Sequence, residues 1–219
     1  MRAYGHKNAL KLSRLTLISL ARLVYFCINS KQLANHMRTV SFSMNISLDG
    51  YCDHTMFNPS EEVLEYFTAK LREVDLLFFG RVMYQLMFPY WTDVAQNQSG
   101  TAAENRFAQR LSAIDRVVMS RSLNSVDDKT RIVESHPAEE LLKLKQQRGN
   151  KISVDSVSLL PELIQAGLID EFQLVVHPVM VGQGRPLLPG GSLQERLNLK
   201  LVDTIAFKSG SVALHYLKQ

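Results

Sequence analysis

Residues 166–188 read AGLIDEFQLVVHPVMVGQGRPLL, and this stretch contains the end of a helix followed directly by an apolar strand. A helix predicted from Leu159 to Ala166 ends at Gly167, because glycine readily adopts the backbone conformation that closes a helix. Asp170 to Met180 is predicted as a strand that Pro178 interrupts near its end. A helix that leads directly into a buried strand is typical of α/β proteins.

Strand-like and helix-like segments alternate along the chain before this stretch, and two β segments follow it. The preceding strands are predicted at 38–46, 76–79, 116–120 and 151–154, with helices between them. The final segments, 197–207 and 211–217, are joined by a hairpin turn at 208–210. This order predicts one three-layer α/β domain: a mixed, mostly parallel sheet with helices on both faces and an antiparallel C-terminal hairpin.

The first 36 residues differ in composition from the rest of the chain. They carry six of the 25 basic side chains and none of the 21 acidic ones, so the net charge of +4 does not indicate a nucleic-acid partner. Their apolar part, Leu15 to Ile28, contains Arg22 and is too short to span a bilayer. We therefore predict that 1–36 is a basic extension, either targeting-like or a non-native start, and that 37–219 is the folded domain. Membrane contact is expected only if the extension is part of the mature protein.

Cysteine usage and motif content exclude several classes of function. Cys27 and Cys52 form no CxxC pair and are predicted to be free thiols in a reducing, cytoplasmic compartment. No HxxEH, G-x-S-x-G or GxxxxGK[ST] motif occurs, so zinc hydrolase, serine hydrolase and P-loop functions have no support, and no metal site is predicted. His177 and His215 lie in apolar strands and are interpreted as structural, whereas His54 follows the first strand and is kept as a candidate site residue.

The candidate site residues lie where predicted strands end. In open α/β sheets, ligands bind at the carboxyl ends of the strands, where loops and helix N-termini present free N–H groups. Two of these junctions place an arginine beside a small residue, which suits phosphate recognition. The junctions are Ser47-Leu48-Asp49-Gly50, Gly80-Arg81, Ser120-Arg121 and the turn before Leu159.

The order of these segments resembles one protein family. The stretches that carry the resemblance are RTVSFSMNISLDGY at 38–51, VDLLFFGRVMYQLMFPYW at 74–91, IDRVVMSRSLN at 114–124, AGLIDE with HPVxxGxGxPL at 166–187, and LKLVDTIAFKSGSVALHYL at 199–217. Together they resemble the dihydrofolate reductase-like domain at the C-terminus of the riboflavin-biosynthesis deaminase–reductase, the RibD C-terminal domain, in a stand-alone form. The resemblance covers essentially all of residues 37–219 in the family's order.

The resemblance implies a sheet of about eight strands, a homodimer, and NADPH-dependent hydride transfer to a small heterocyclic or sugar-imine substrate. The implied activity is similar to that of 5-amino-6-(5-phosphoribosylamino)uracil reductase. The cofactor-binding candidates carried over from the family are Gly80, Arg81, Ser120, Arg121, Val154, Asp155, Ser156 and Val157.

Four further residues are candidates for catalysis or substrate binding. Asp49 matches a loop near the nicotinamide and is the candidate proton donor, with a role in the turn beside Gly50 as the alternative. Tyr84 and Trp91 match aromatics that border the substrate pocket, with core packing as the alternative. His54 is the third substrate-binding candidate.

Two positions depart from the family's pattern. Met83 stands where the cofactor turn usually has threonine, so a hydroxyl ligand for phosphate is lost. Asp155-Ser156 stands where the family has two glycines, which let the backbone approach the pyrophosphate. A carboxylate at ~4 Å from a phosphate repels it by about 4 kcal/mol at an effective dielectric of ~20. We therefore expect weak NADPH binding, and the alternative function is a non-enzymatic, dimeric ligand-binding protein with a degraded cofactor site.

Overall fold

The β-strands form one mixed sheet. The computed structural model describes residues 37–52, 57–124 and 126–219, and within them the sheet has eight strands in the order β4-β3-β2-β5-β1-β6-β8-β7. The first six strands in this order pair in parallel, and β8 pairs antiparallel with both β6 and β7. The strands are β1 Thr39–Ser47, β2 Val74–Gly80, β3 Asp115–Met119, β4 Thr130–Val133, β5 Lys151–Asp155, β6 Glu171–His177, β7 Leu199–Ala206 and β8 Val212–Lys218. The predicted fold class is confirmed.

Helices cover both faces of the sheet. Because crossovers between parallel strands are right-handed, the connections before and after β2 place their helices on one face, and the returning connections place theirs on the other. In agreement, α1 and α2 both pack against α3, and α4 packs against α5. The helices are α1 Glu61–Leu71, α2 Arg81–Asn97, α3 Ala102–Ala113, α4 Pro137–Lys145 and α5 Leu160–Gln165. In the part of the chain that the structure describes, no helix is both long and apolar enough to cross a membrane.

Residues of the stretch 166–188 connect neighbouring elements at the end of the sheet where the parallel strands begin. Gly167 has a φ of +70°, a conformation that favours glycine, and closes α5 as expected. The Asp170 carboxylate then accepts the backbone N–H of Val40 at 2.8 Å and pairs with Lys145 Nζ at 2.5 Å. Strand β6 ends at His177, directly before Pro178, because proline cannot donate to a ladder.

The two central strands, β1 and β5, have faces of different chemistry. Val40, Phe42, Ile152 and Val154 are completely buried in the main core. The alternate positions Ser41, Ser43, Ser153 and Asp155 line a cavity. Serines and a carboxylate on a sheet face that helices cover are unusual, since buried polar groups need partners. These side chains form a polar face of the sheet beneath the helices.

Candidate active site

The predicted strand-end junctions meet at one edge of the sheet. Strands β3, β2, β5 and β1 are neighbours and parallel, so their carboxyl ends lie side by side. The β2–α2 and β5–α5 turns touch each other: a Cβ atom built on Gly80 would lie 2.4 Å from Ser156 Oγ. A side chain at position 80 would therefore require the Ser156 hydroxyl to move. Residues beside this contact line two cavities: Phe79 and Asp155 line one, and Arg81 and Leu159 line the other.

The first cavity, which we call the arginine cavity, lies over the ends of β2 and β3. It has a volume of about 690 Å³, and its lining includes Arg81, Ser120, Arg121, Ser135 and His136. Three of the predicted cofactor-binding residues are therefore brought together by the structure. Glu134 and Glu162 also line this cavity.

The donors around the arginine cavity suit a phosphate group. Ser120 Oγ accepts the backbone N–H groups of Ser122 at 3.2 Å and Leu123 at 2.9 Å, which leaves its hydroxyl proton to be donated outward. Helix α2 begins after Gly80 with no side-chain cap, so its first turn and helix dipole favour an anion. Glu162 is already held by the backbone N–H of Ala138 at 2.9 Å. The residues present fit a phosphate-bearing cofactor.

The second cavity, which we call the aromatic cavity, lies between the polar face of the sheet and helices α1 to α3. Its volume is about 380 Å³. Phe79, Trp91 and Phe107 contribute aromatic surface to its lining, and Trp91 packs edge-on against Phe107 with ring centroids 4.7 Å apart. The polar groups that line the cavity include Ser41, Ser43, Asn45, Ser153, Asp155 and Gln173. Apolar walls with a few convergent polar groups are typical of small-molecule sites.

Asp155 lines the aromatic cavity and not the arginine cavity. Burial raises the pKa of Asp155 to about 7, and a hydrogen bond from Ser153 opposes part of this effect. Strand β5 alternates, so position 155 shares a face with Ser153, and the expectation that the Asp155 carboxylate faces the pyrophosphate stays a prediction. Ser156 occupies the β5–α5 turn. The side chains of Val154 and Val157 belong to the core.

Asn45 was missed by the sequence analysis. Neutral His177 donates from Nε2 to Asn45 Oδ1 at 2.9 Å and accepts from Ser211 Oγ at its Nδ1 at 3.3 Å. Burial lowers the pKa of His177, which keeps the ring neutral. With its oxygen occupied, the Asn45 amide is left to donate its N–H groups towards a ligand. The sequence signal that could have identified it is that Asn45 is polar and lies on the same face of β1 as Ser41 and Ser43.

Asp49 anchors two loops to each other. Its carboxylate accepts from Ser47 Oγ at 2.5 Å and from the backbone N–H groups of Val181 and Gly182 at 3.1 and 2.7 Å. These hydrogen bonds lower its pKa, with the Ser47 hydroxyl as the largest cause. A carboxylate that is ionised at neutral pH is not a proton donor, so the structure favours the role of Asp49 in the turn over catalysis.

The two aromatic candidates for substrate binding, Tyr84 and Trp91, lie in different environments. Trp91 lines the aromatic cavity. Tyr84 is buried in the core, where it stacks on Phe88 with ring centroids 5.0 Å apart and donates from its hydroxyl to Asp127 Oδ2 at 3.3 Å. Core packing, the alternative given for both, therefore applies to Tyr84. Met83 lines the aromatic cavity, and His54 lies outside the described residues.

Comparison with known proteins identifies the family. The mixed eight-stranded sheet with its helices has the dihydrofolate reductase-like fold. Residues 38–213 match the model of the RibD C-terminal domain, and the chain belongs to that family. The uncharacterised protein YyaP of Bacillus subtilis (strain 168) is 29% identical over 187 residues, which are 82% of this chain and 94% of YyaP.

Solved structures share the fold at low sequence identity. A putative riboflavin biosynthesis protein from Shewanella sp. PV-4 has a TM-score of 0.64 at 19% identity, covering 83% of this chain and 99% of that one. A dihydrofolate reductase from Enterococcus faecalis, complexed with NADP(H) and RAB-propyl, has a TM-score of 0.54 at 11% identity, covering 83% and 96%. Both likenesses are at low sequence identity and show a shared fold.

Proposed function

We propose that this protein is an NADPH-dependent reductase that delivers hydride to a small heterocyclic or sugar-imine substrate, in the manner of 5-amino-6-(5-phosphoribosylamino)uracil reductase. The observation that carries this proposal is the pair of cavities lined by the two neighbours of Gly80, with Phe79 in one and Arg81 in the other. One cavity offers cationic and N–H donors, and the other offers aromatic walls and polar groups. Family membership and the NADP(H) complex of the E. faecalis reductase support the same function.

Each part of the cofactor has residues suited to it. Arg81, Ser120 and Arg121 would hold a phosphate of the adenosine end by charge-assisted hydrogen bonds. The uncapped first turn of α2 would meet the pyrophosphate. Reduced nicotinamide, when bound, supplies the hydride.

The substrate ring is assigned to the aromatic cavity. Trp91 and the neighbouring apolar side chains exclude water there, and Asn45 presents N–H donors. Because its pKa is about 7, Asp155 holds a proton on its carboxyl group in about half of the molecules at neutral pH. Asp155 therefore replaces Asp49 as the candidate proton donor.

One observation favours the second candidate function, a non-enzymatic ligand-binding protein. The Ser156 hydroxyl fills the space above Gly80 and bonds to Ser158 Oγ at 3.2 Å. We expect a dinucleotide that occupies both cavities to pass this contact, and the Ser156 side chain would then have to turn away. Weak NADPH binding is the consequence expected for the reductase, and no binding is the consequence expected for the second candidate.

Titration of the full-length protein with NADPH and NADH, followed by nicotinamide fluorescence and thermal shift, distinguishes the two functions. The reductase predicts saturable binding of NADPH that is tighter than that of NADH. Absence of saturable binding of either dinucleotide overturns the reductase proposal.

A further inference from the structure

We propose that the aromatic cavity selects planar nitrogen cations, and that Asp155 is the residue that recognises their positive charge. This inference rests on the proposed function only in placing a ligand ring in the same cavity. It adds that the positive charge of the ligand is recognised by Asp155, which stands where the family's pattern has glycine.

Asp155 is a carboxyl group without a countercharge. Within residues 37–52, 57–124 and 126–219, no ion pair includes Asp155, and its hydrogen-bond partner is the neutral hydroxyl of Ser153. The carboxyl group lines a partly open cavity with largely apolar walls. A carboxylate in such surroundings loses hydration, and a cation in the same space recovers part of the lost energy.

The other titratable groups that line the cavity either have partners of their own or lie far from Asp155. Lys151 lies four residues before Asp155 on β5, about 13 Å away along the strand. Its ammonium group pairs with Glu73 at 2.8 Å and Glu171 at 2.6 Å, so its charge is compensated. The positive charge nearest to Asp155 along its own strand is therefore neutralised by other residues.

The lining groups on the three covering helices are not available to Asp155 either. Lys70 of α1 lies over the Tyr66 ring at 5.4 Å from its centroid. Tyr90 of α2 is exposed, and Glu104 of α3 accepts the backbone N–H of Thr101 at 2.7 Å in a capping box. Asp155 is thus the acidic group left to respond to a ligand.

The walls favour a flat ring of positive charge. Phe79, Trp91 and Phe107 present aromatic surface, and aromatic faces attract cations electrostatically. A volume of about 380 Å³ accommodates one or two fused rings. A neutral ring of the same shape gains the apolar contacts but not the charge pairing. The cavity therefore distinguishes charge in ligands of equal size.

The test uses two probes with the same ring, 1-methylnicotinamide, which is a permanent cation, and nicotinamide, which is neutral. Trp91 is the single tryptophan of the chain and lines the cavity, so its indole N–H resonance reports binding at this place. At pH 8 we expect the full-length protein to bind the cation at least tenfold more tightly than the neutral ring. Asp155→Asn is expected to abolish this preference. Glu104→Gln, which alters a carboxyl of the same cavity that is already used in a helix cap, is expected to keep it.

The dependence on pH provides a test without any substitution. Asp155 ionises as the pH rises from 6 to 8, so affinity for the permanent cation increases over this range and affinity for nicotinamide does not. Equal affinities at pH 8, a preference retained in Asp155→Asn, or no shift of the Trp91 resonance with either probe overturns the inference. Neither probe carries a phosphate, so a cation preference in a protein that fails to bind NADPH supports this inference and refutes only the reductase.

Discussion

Substituting Gly80 by alanine tests whether the β2–α2 and β5–α5 turns touch as the structure shows. The new Cβ would lie 2.4 Å from Ser156 Oγ, closer than side chains tolerate, and 3.3 Å from Ser156 Cβ, a tight contact. The Ser156 hydroxyl can rotate away, but it then gives up its bond to Ser158 Oγ at 3.2 Å. Overpacking costs ~1–3 kcal/mol, and a neutral hydrogen bond contributes about 1 kcal/mol.

We therefore expect Gly80→Ala to lower the free energy of unfolding by about 1–2 kcal/mol, measured by urea denaturation. In a Ser156→Gly background the nearest remaining atom is Ser158 Oγ at 3.4 Å, an ordinary contact. There the same substitution is expected to cost less than ~0.5 kcal/mol, a coupling of about 1 kcal/mol between the two positions. An equal cost in both backgrounds refutes the contact on which the site depends.

Three further predictions concern the cofactor, the extension and the oligomer. Ser120→Ala combined with Arg121→Ala is expected to weaken the binding of NADPH about tenfold or more and to leave the binding of NADH nearly unchanged, because a charge-assisted bond contributes ~1.5–3 kcal/mol. Equal losses of affinity for both dinucleotides in a fluorescence titration would show that these residues do not bind the phosphate. Removal of residues 1–36 is expected to leave the melting temperature unchanged, since β1 begins at Thr39 and Arg38–Gln219 form one compact unit. A large fall in the melting temperature measured by calorimetry would contradict this expectation. We expect a homodimer that forms through the edge strand β7, where Leu201 is 49% exposed. Leu201→Lys is then expected to lower the mass measured by light scattering to that of a monomer. An unchanged mass excludes that surface.

Local sequence patterns were sufficient for most of the fold. Period-2 alternation identified β1, and the Thr101-x-x-Glu104 pattern identified the capping box that begins α3. The short strand β4 was not predicted, because its four residues include both a charged and a polar side chain and carry no apolar run. Its pairing with β3 is a tertiary contact.

The site was predicted less completely, for two different reasons. The direction of Asp155 follows from alternation along β5, where Ile152 is buried, so the sequence contained a signal that was not used. Asp49, by contrast, is fixed by backbone groups of Val181 and Gly182, more than 130 positions away. No local pattern reveals such a partner.

The most direct test of the central claim, that one dinucleotide site extends across the Gly80–Ser156 contact, is the affinity for NADPH of the wild-type protein and of the variant Asp155→Gly with Ser156→Gly. The variant removes the hydroxyl above Gly80 and the nearby carboxyl group, at a cost in stability of up to ~1 kcal/mol for each glycine. We predict saturable binding to both proteins, weak in the wild type and at least tenfold tighter in the variant, measured well below the melting temperature. Absence of saturable NADPH binding in both proteins would contradict the claim.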